Sequence, residues 1–241
     1  MSGRERRIGV TDVRGALERG DPVRRIVLRR GARGAAVDAL VAAAEIARIP
    51  VQRTSAQVFD RLRPQEVECD ALALVGPPLE ADLDGVLDRG GALWLLTGTA
   101  YPGNAGFVMR TAEVSGAAGV CIDASFGHKG RREALRTSMR ADRFMPVLWE
   151  RTDAVLDAAA AHGHRIVAVE DVGAKPPWSV DLTGPVLFVV GGEADGISAA
   201  VLARCDEIVR IPMAGFLRAY NLQAAVAAVA VERLRQLPGA A

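Results

Sequence analysis

The chain has 241 residues, half of them hydrophobic, and a formal net charge of +1. That length supports one large domain or two small ones with their own cores. The near-neutral charge does not by itself announce a nucleic-acid binder, and the absence of any run of about 18 apolar residues implies no transmembrane helix. The opening MSGRERRIGV carries charge with no apolar stretch behind it, so no secretory signal is expected. Cys69, Cys121 and Cys205 are odd in number and widely separated, which points to reduced thiols in a cytoplasm. His128, His162 and His164 are scattered, and no Cys/His pair has metal-ligand spacing, so no metal site is expected.

Taken in order, Thr11 to Arg19 reads as a short helix capped by Thr11. Val23–Arg30 contains a strand, and Ala35–Ile49 is apolar at helical spacing. Pro50–Arg53 reads as a strand, Ser55 as the cap of a helix through Leu62, and Cys69–Val75 as a further strand. Gly76-Pro77-Pro78 breaks the pattern and an acidic stretch, Glu80 to Asp88, follows. This places a domain boundary between about residues 75 and 90, giving a first domain over 1–80 and a second over 90–241.

From Gly91 strands and helices alternate. Strands are expected at Ala92–Leu96, Gly119–Ile122, Met145–Trp149, Arg165–Val169, Val186–Val190 and Glu207–Ile211. Helices are expected at Ala105–Ser115, Gly130–Ser138, Asp153–Ala161, Ser198–Ala203 and Ala219–Gln236. Such alternation predicts an α/β fold with a mostly parallel sheet, whose ligands bind beyond the C-terminal ends of strands.

Charge is unevenly spread. Residues 1–33 hold ten arginines against four acids, and residues 129–143 hold six basic residues against two acids. Clustered arginine neutralises phosphate, although solvated faces look the same.

Chemistry concentrates in three segments. Tyr101-Pro-Gly-Asn-Ala-Gly-Phe-Val-Met-Arg-Thr-Ala112 follows a strand and opens a helix, with Asn104 as expected N-cap and Arg110 within. Taken alone it reads better as an ordinary capped surface helix with a solvated arginine. Val190-Gly-Gly-Glu-Ala-Asp-Gly-Ile-Ser198 ends an apolar strand; it places Glu193 in a turn whose glycines allow close backbone approach, but lacks the G-x-G-x-x-G spacing of a dinucleotide fold. Ile211-Pro-Met-Ala-Gly-Phe-Leu-Arg-Ala-Tyr-Asn-Leu-Gln223 joins a strand to the C-terminal helix, where Asn221 reads by itself as another cap or a buried polar residue.

Together, in this order and spacing, the three resemble the motifs of the SpoU/TrmH branch of the SPOUT methyltransferases. The first, N-x-G-x-x-x-R-T-A, is matched by Asn104, Gly106, Arg110, Thr111 and Ala112. The second, G-S/A-E-x-x-G-[IL], is matched by Gly191, Glu193, Gly196 and Ile197, with Gly192 in the small position. The third is matched by Ile211, Pro212, Met213 and Asn221. The resemblance spans roughly residues 90–237. The first domain is similar to the substrate-binding domain ahead of many such enzymes, itself resembling a small ribosomal RNA-binding protein; Val10-Thr-Asp-Val-Arg-Gly-Ala-Leu-Glu-Arg-Gly20 and Ile49-Pro-Val51 carry this likeness.

The resemblance implies a SPOUT-type parallel sheet with a C-terminal trefoil knot, and a cytoplasmic, homodimeric enzyme. It further implies methylation of a ribose 2′-hydroxyl, in ribosomal RNA by preference, with S-adenosylmethionine as donor. It implies catalytic roles for Arg110, Asn104, Glu193 and Asn221, with Glu193 supporting the arginine and substrate. Gly191, Gly192, Ile211, Met213, Tyr220 and Asn221 would hold the donor. The family's usual serine and leucine before Asn221 are here Ala219 and Tyr220, and Arg140 stands where the family often has glycine. Transfer RNA, a non-RNA acceptor, or a non-catalytic RNA-binding role are the alternatives.

Overall fold

The computed structural model describes residues 4–65, 67–217 and 219–238. The chain divides into two compact units, one ending at Pro78 and the other starting at Leu79. In the first, β1 (Glu5–Ile8), α1 (Val10–Glu18), β2 (Val23–Arg29), α2 (Ala35–Ile46), β3 (Val51–Thr54), α3 (Ala56–Leu62) and β4 (Ala71–Val75) follow one another. The strands are ordered β1-β4-β2-β3, with β2 and β3 parallel and β4 antiparallel to both its neighbours. Val13, Ile26, Leu28 and Leu40 are wholly buried between sheet and helices.

Ser55 caps α3 as expected, accepting from the Val58 amide. Thr11 does not cap α1. That helix starts one residue earlier behind Gly9, whose φ of 90° only glycine adopts cheaply, and the Asp12 carboxylate accepts from the Ile8 amide at 3.0 Å.

The second unit runs α4 (Leu83–Leu87), β5 (Ala92–Thr97), α5 (Pro102–Val114), β6 (Gly119–Asp123), α6 (His128–Thr137), β7 (Val147–Leu148), α7 (Thr152–Ala161), β8 (Arg165–Val169), β9 (Val186–Gly191), α8 (Ala199–Leu202), β10 (Glu207–Val209) and α9 (Leu222–Gln236). Its six strands are all parallel, in the order β10-β8-β9-β5-β6-β7. The parallel α/β sheet expected from the alternation is therefore present. Period-two alternation divides the strands between two cores. Trp94, Leu96, Phe188 and Val190 face α5 and α9, while Leu93, Leu95, Leu187 and Val189 face the opposite layer with Val155 and Leu156 of α7. Trp94 and Phe188, register partners on β5 and β9, stack with ring centroids 4.6 Å apart.

Gly106 permits a close helix contact. A Cβ there would lie 2.6 Å from the Ala134 carbonyl oxygen and 2.7 Å from Thr137 Cβ, so α5 and α6 meet at the motif's glycine. The last turn of α9 is tied down by Arg233. Its buried guanidinium donates to the Leu182 carbonyl and, at 3.1 Å, to that of Gly184, and burial pushes its pKa down from the usual arginine value.

Candidate active site

The C-terminal ends of β8 and β9 open into a cleft of about 480 Å³. Its walls come from Glu170–Asp171 after β8, from Gly191–Gly196 at the end of β9, and from Arg210, Ile211, Met213 and Ala219–Asn221 ahead of α9. Gly191, Gly192, Glu193, Ile211, Met213, Tyr220 and Asn221 all line it, so seven residues separated by up to 30 positions in sequence share one concave surface. Ala219 lines it too.

The glycines have a physical reason beyond ligand approach. Side chains at Gly191 and Gly192 would collide with the backbone of Gly196 and of Gly98. The loop after β9 therefore folds back on itself and against the loop after β5, leaving backbone as the lining. Gly196, at φ 63°, would place a Cβ 2.7 Å from a Glu170 carboxylate oxygen.

Glu193 is the hub. Its carboxylate accepts from Asn104 Nδ2 at 2.7 Å, from the Ala100 amide at 3.1 Å and from Thr99 Oγ1 at 3.2 Å. Partial burial opposes its ionisation, but these hydrogen bonds prevail and hold its pKa below the usual carboxylate value. Asn104 does not cap α5. The helix opens two residues earlier, with Tyr101 as N-cap and Pro102 at the first position, where its missing N–H costs nothing. Asn104 is thereby freed to point its amide at Glu193.

Arg110 is exposed and is not among the cleft-lining residues. It shares a helical stripe with exposed Phe107 and Val114, and no ion pair joins it to Glu193 among the described residues. Asn221 caps α9, its Oδ1 accepting from the Gln223 amide at 3.0 Å, so the helix starts later than the expected Ala219. Tyr220 donates its hydroxyl proton to the Pro212 carbonyl at 3.2 Å and closes the loop that Ala219 shares.

Sequence reasoning missed Glu170. It follows β8 directly, and its Oε2 accepts from the Ile197 amide at 2.9 Å, bracing the glycine loop. The only signal was position, at the C-terminal end of a central strand. Asp171, Asp195 and Arg210 line the cleft as well. Among the described residues, no three His, Cys, Asp or Glu side chains are grouped to hold a metal ion.

Residues 93–231, more than half of the chain, match the profile of the SpoU rRNA Methylase family. The chain belongs to that family. All three motif segments fall inside the SpoU match. A 23S rRNA (guanosine-2′-O-)-methyltransferase RlmB of Xanthomonas axonopodis pv. citri is 29% identical over 97% of each chain. A putative TrmH family tRNA/rRNA methyltransferase of Staphylococcus haemolyticus is 26% identical over 95% of this chain and 94% of its own. Among solved structures, the SpoU methyltransferase AviRb of Streptomyces viridochromogenes in complex with AdoMet is similar with a TM-score of 0.59 and 26% identity, covering 98% of this chain and 91% of that one. Among the described residues no helix is long and apolar enough to cross a membrane.

Proposed function

We propose that this chain transfers a methyl group from S-adenosylmethionine to a ribose 2′-hydroxyl of ribosomal RNA. The observation that carries the reading is the cleft itself, where the second and third SpoU motifs face each other and the first is tethered to it through Asn104 and Glu193. The names of the RlmB relatives and the AdoMet-bound AviRb structure support acceptor and donor.

The cleft fits the donor on its own chemistry. S-adenosylmethionine carries an adenosine, a sulfonium, an ammonium and one carboxylate, so it is a net cation. Glu170, Asp171, Glu193 and Asp195 line the cleft against a single arginine, Arg210, and Val190, Ile211, Met213 and Leu222 offer an apolar wall for a purine. Gly191, Gly192, Ile211, Met213, Tyr220 and Asn221 are the residues we assign to holding it. When bound, the sulfonium supplies an electrophilic methyl group.

The chain's own residues position the acceptor. A ribose hydroxyl gives up its proton reluctantly, and a guanidinium with a pKa above about 12 is a poor base. Arg110 therefore acts by orienting the RNA phosphate and stabilising the developing alkoxide, a role open to an exposed guanidinium, while the hydroxyl proton leaves to solvent water as the methyl group passes from sulfur to oxygen. Asn104 fixes the Glu193 carboxylate, and Asn221 shapes the donor side of the cleft. Alignment of acceptor and methyl group supplies much of the acceleration.

Three finer points belong to the same reading. The unit ending at Pro78 captures RNA; its arginine excess supports this, although Arg7, Arg14 and Arg19 are paired with acids. The chain works as a cytoplasmic homodimer. Val226 and Val229 of α9 are buried within the chain, and exposed Phe107, Val114 and Val231 support a dimer. The C-terminal trefoil knot is part of the proposal, supported by loops from the central β9 and the edge strand β10 that border one cleft.

The reading is tested by titration calorimetry with the donor and by labelled-methyl transfer to deproteinised ribosomal RNA. Donor binding with transfer is expected. Binding without transfer to any RNA would point to another acceptor, and absence of donor binding would overturn the enzyme reading.

A further inference from the structure

At the far side of the same sheet edge lies a cluster that the donor cleft does not use. Phe126, in the loop after β6, meets Trp149, just after β7, edge to face with centroids 6.1 Å apart. The Arg131 guanidinium sits 4.6 Å from the Trp149 ring centroid. Both rings are only partly buried, packed against the core by one side. Gly130 seats the start of α6 against this cluster and against the first-motif helix at once: a Cβ there would lie 3.2 Å from Phe126 Cβ and 3.3 Å from Pro102 Cγ.

The helix that rises from this cluster is basic on its outer side. At 100° per residue, His128, Lys129, Arg132 and Arg136 fall within an arc of about 100°, opposite buried Ala134. All four are exposed, and none has an ion pair among the described residues. The acids of the region do little to cancel them: residues 129–143 hold six basic residues against two acids, in a chain whose net charge is +1. This surface is locally basic, while the donor cleft is lined by carboxylates.

Register gives the separation. Gly191 pairs with Thr97, Thr97 with Asp123, and Leu148 with Cys121, so Trp149 stands three strands across from the glycine loop on the same edge. At about 4.8 Å per strand this is roughly 14 Å, the reach of about four stacked nucleotides at about 3.4 Å each. Tyr101, 63% exposed after the intervening β5, lies between the two.

We propose that the Phe126–Trp149–Arg131 cluster and the outer face of α6 bind the RNA strand flanking the target nucleotide, a base stacking on the aromatic platform while Arg132 and Arg136 neutralise phosphates. The proposal rests on the RNA methyltransferase reading and extends it to a defined strand path across the sheet edge. Stacking on aromatic rings with a basic track beside them is the chemistry that holds single strands with little regard for sequence.

The test uses deproteinised 23S ribosomal RNA as probe and measures its Kd across a salt series, with donor affinity as control. For Arg132→Ala/Arg136→Ala the expected result is a Kd raised at least about fivefold near 0.15 M salt and a log–log salt slope reduced by about 1.4, the value for two lost single-strand phosphate contacts. Trp149→Leu should weaken binding with the slope unchanged, because stacking releases no counterions. Donor affinity should stay at the wild-type value in both. If Trp149→Leu fails to fold, the arginine pair decides alone. RNA affinity within twofold of wild type with an unchanged slope overturns the surface, as does a wild-type protein without measurable affinity for the RNA. Wild-type protein that binds RNA but transfers no methyl group to it would count against RNA as the acceptor instead, and the Kd series would still judge this surface.

Discussion

Asn104 Nδ2 donates to Glu193 Oε1 at 2.7 Å, bridging 89 positions of sequence between the first turn of α5 and the loop after β9. The bond couples the first family motif to the second. Asn104→Ala leaves Glu193 with Thr99 and the Ala100 amide only. Denaturation of wild type, Asn104→Ala, Glu193→Ala and the double variant is expected to give a coupling energy of about 0.5–3 kcal/mol. Additive single effects would mean that the contact carries no energy.

The same carboxylate predicts an acid limb. Its folded pKa lies below the unfolded value near 4.5, so its stabilisation is fully present above that value. It is lost as pH falls through the folded pKa. Wild type should therefore lose stability more steeply than Glu193→Gln below about pH 4.5, a difference read from denaturation midpoints through that range. Parallel pH profiles would contradict it.

Gly192 and Gly103 form a contrasting pair. A Cβ at Gly192 meets the Gly98 backbone, whereas one at Gly103, in the first turn of α5, meets nothing within 4 Å. Gly192→Ala is expected to cost about 1–3 kcal/mol, as overpacking does, and to weaken donor binding. Gly103→Ala is expected to be neutral or to stabilise by up to about 1 kcal/mol. Thermal melts and donor titration of both variants check the contrast.

Arg140 is held at φ 64°, following Met139 at φ 56°. The left-handed conformation costs a non-glycine residue about 1–2 kcal/mol. Its ion pair with Asp142, 2.8 Å long and half exposed, returns less than about 1 kcal/mol. Arg140→Gly is expected to raise stability by about 0.5–1 kcal/mol after the added chain entropy is counted. A fall in the urea midpoint would show that the Arg140 side chain contributes more than its backbone costs.

Much of the fold was legible because period and punctuation coincide. The runs ALWLL and PVLFVV are buried strands, and Ser55 caps α3 as its position implied. What failed was local and was overridden by tertiary partners. Thr11 and Asn104 are good caps by residue type, yet Gly9 and Pro102 set the helix starts, and Asn104 is drawn to Glu193 instead. β1 escaped notice because Glu5, Arg6 and Arg7 occupy an edge that pairs only with β4. Within the site, motif spacing led to seven residues of one cleft. Glu170 has no motif of its own; its partner Ile197 is 27 positions away, and only the fold brings them together.

Arg110 tests the carry-over of roles. As an exposed residue with no ion pair among the described residues, it should tolerate replacement within about 0.5 kcal/mol of stability. Arg110→Ala is expected to fold and to bind donor nearly as wild type while lowering methyl transfer by at least about a hundredfold. Arg110→Lys should restore only part of the rate, because an ammonium lacks the planar fork toward phosphate and ribose oxygens. Single-turnover transfer with saturating donor measures both.

The central claim is the bond that is formed, and mass spectrometry of nuclease-digested ribosomal RNA, after incubation with the protein and S-adenosylmethionine, tests it most directly. The account predicts one additional methyl group on ribose at a defined nucleotide, recovered as a 2′-O-methylnucleoside. RNA that gains no methyl group, or gains it on a base, would contradict it.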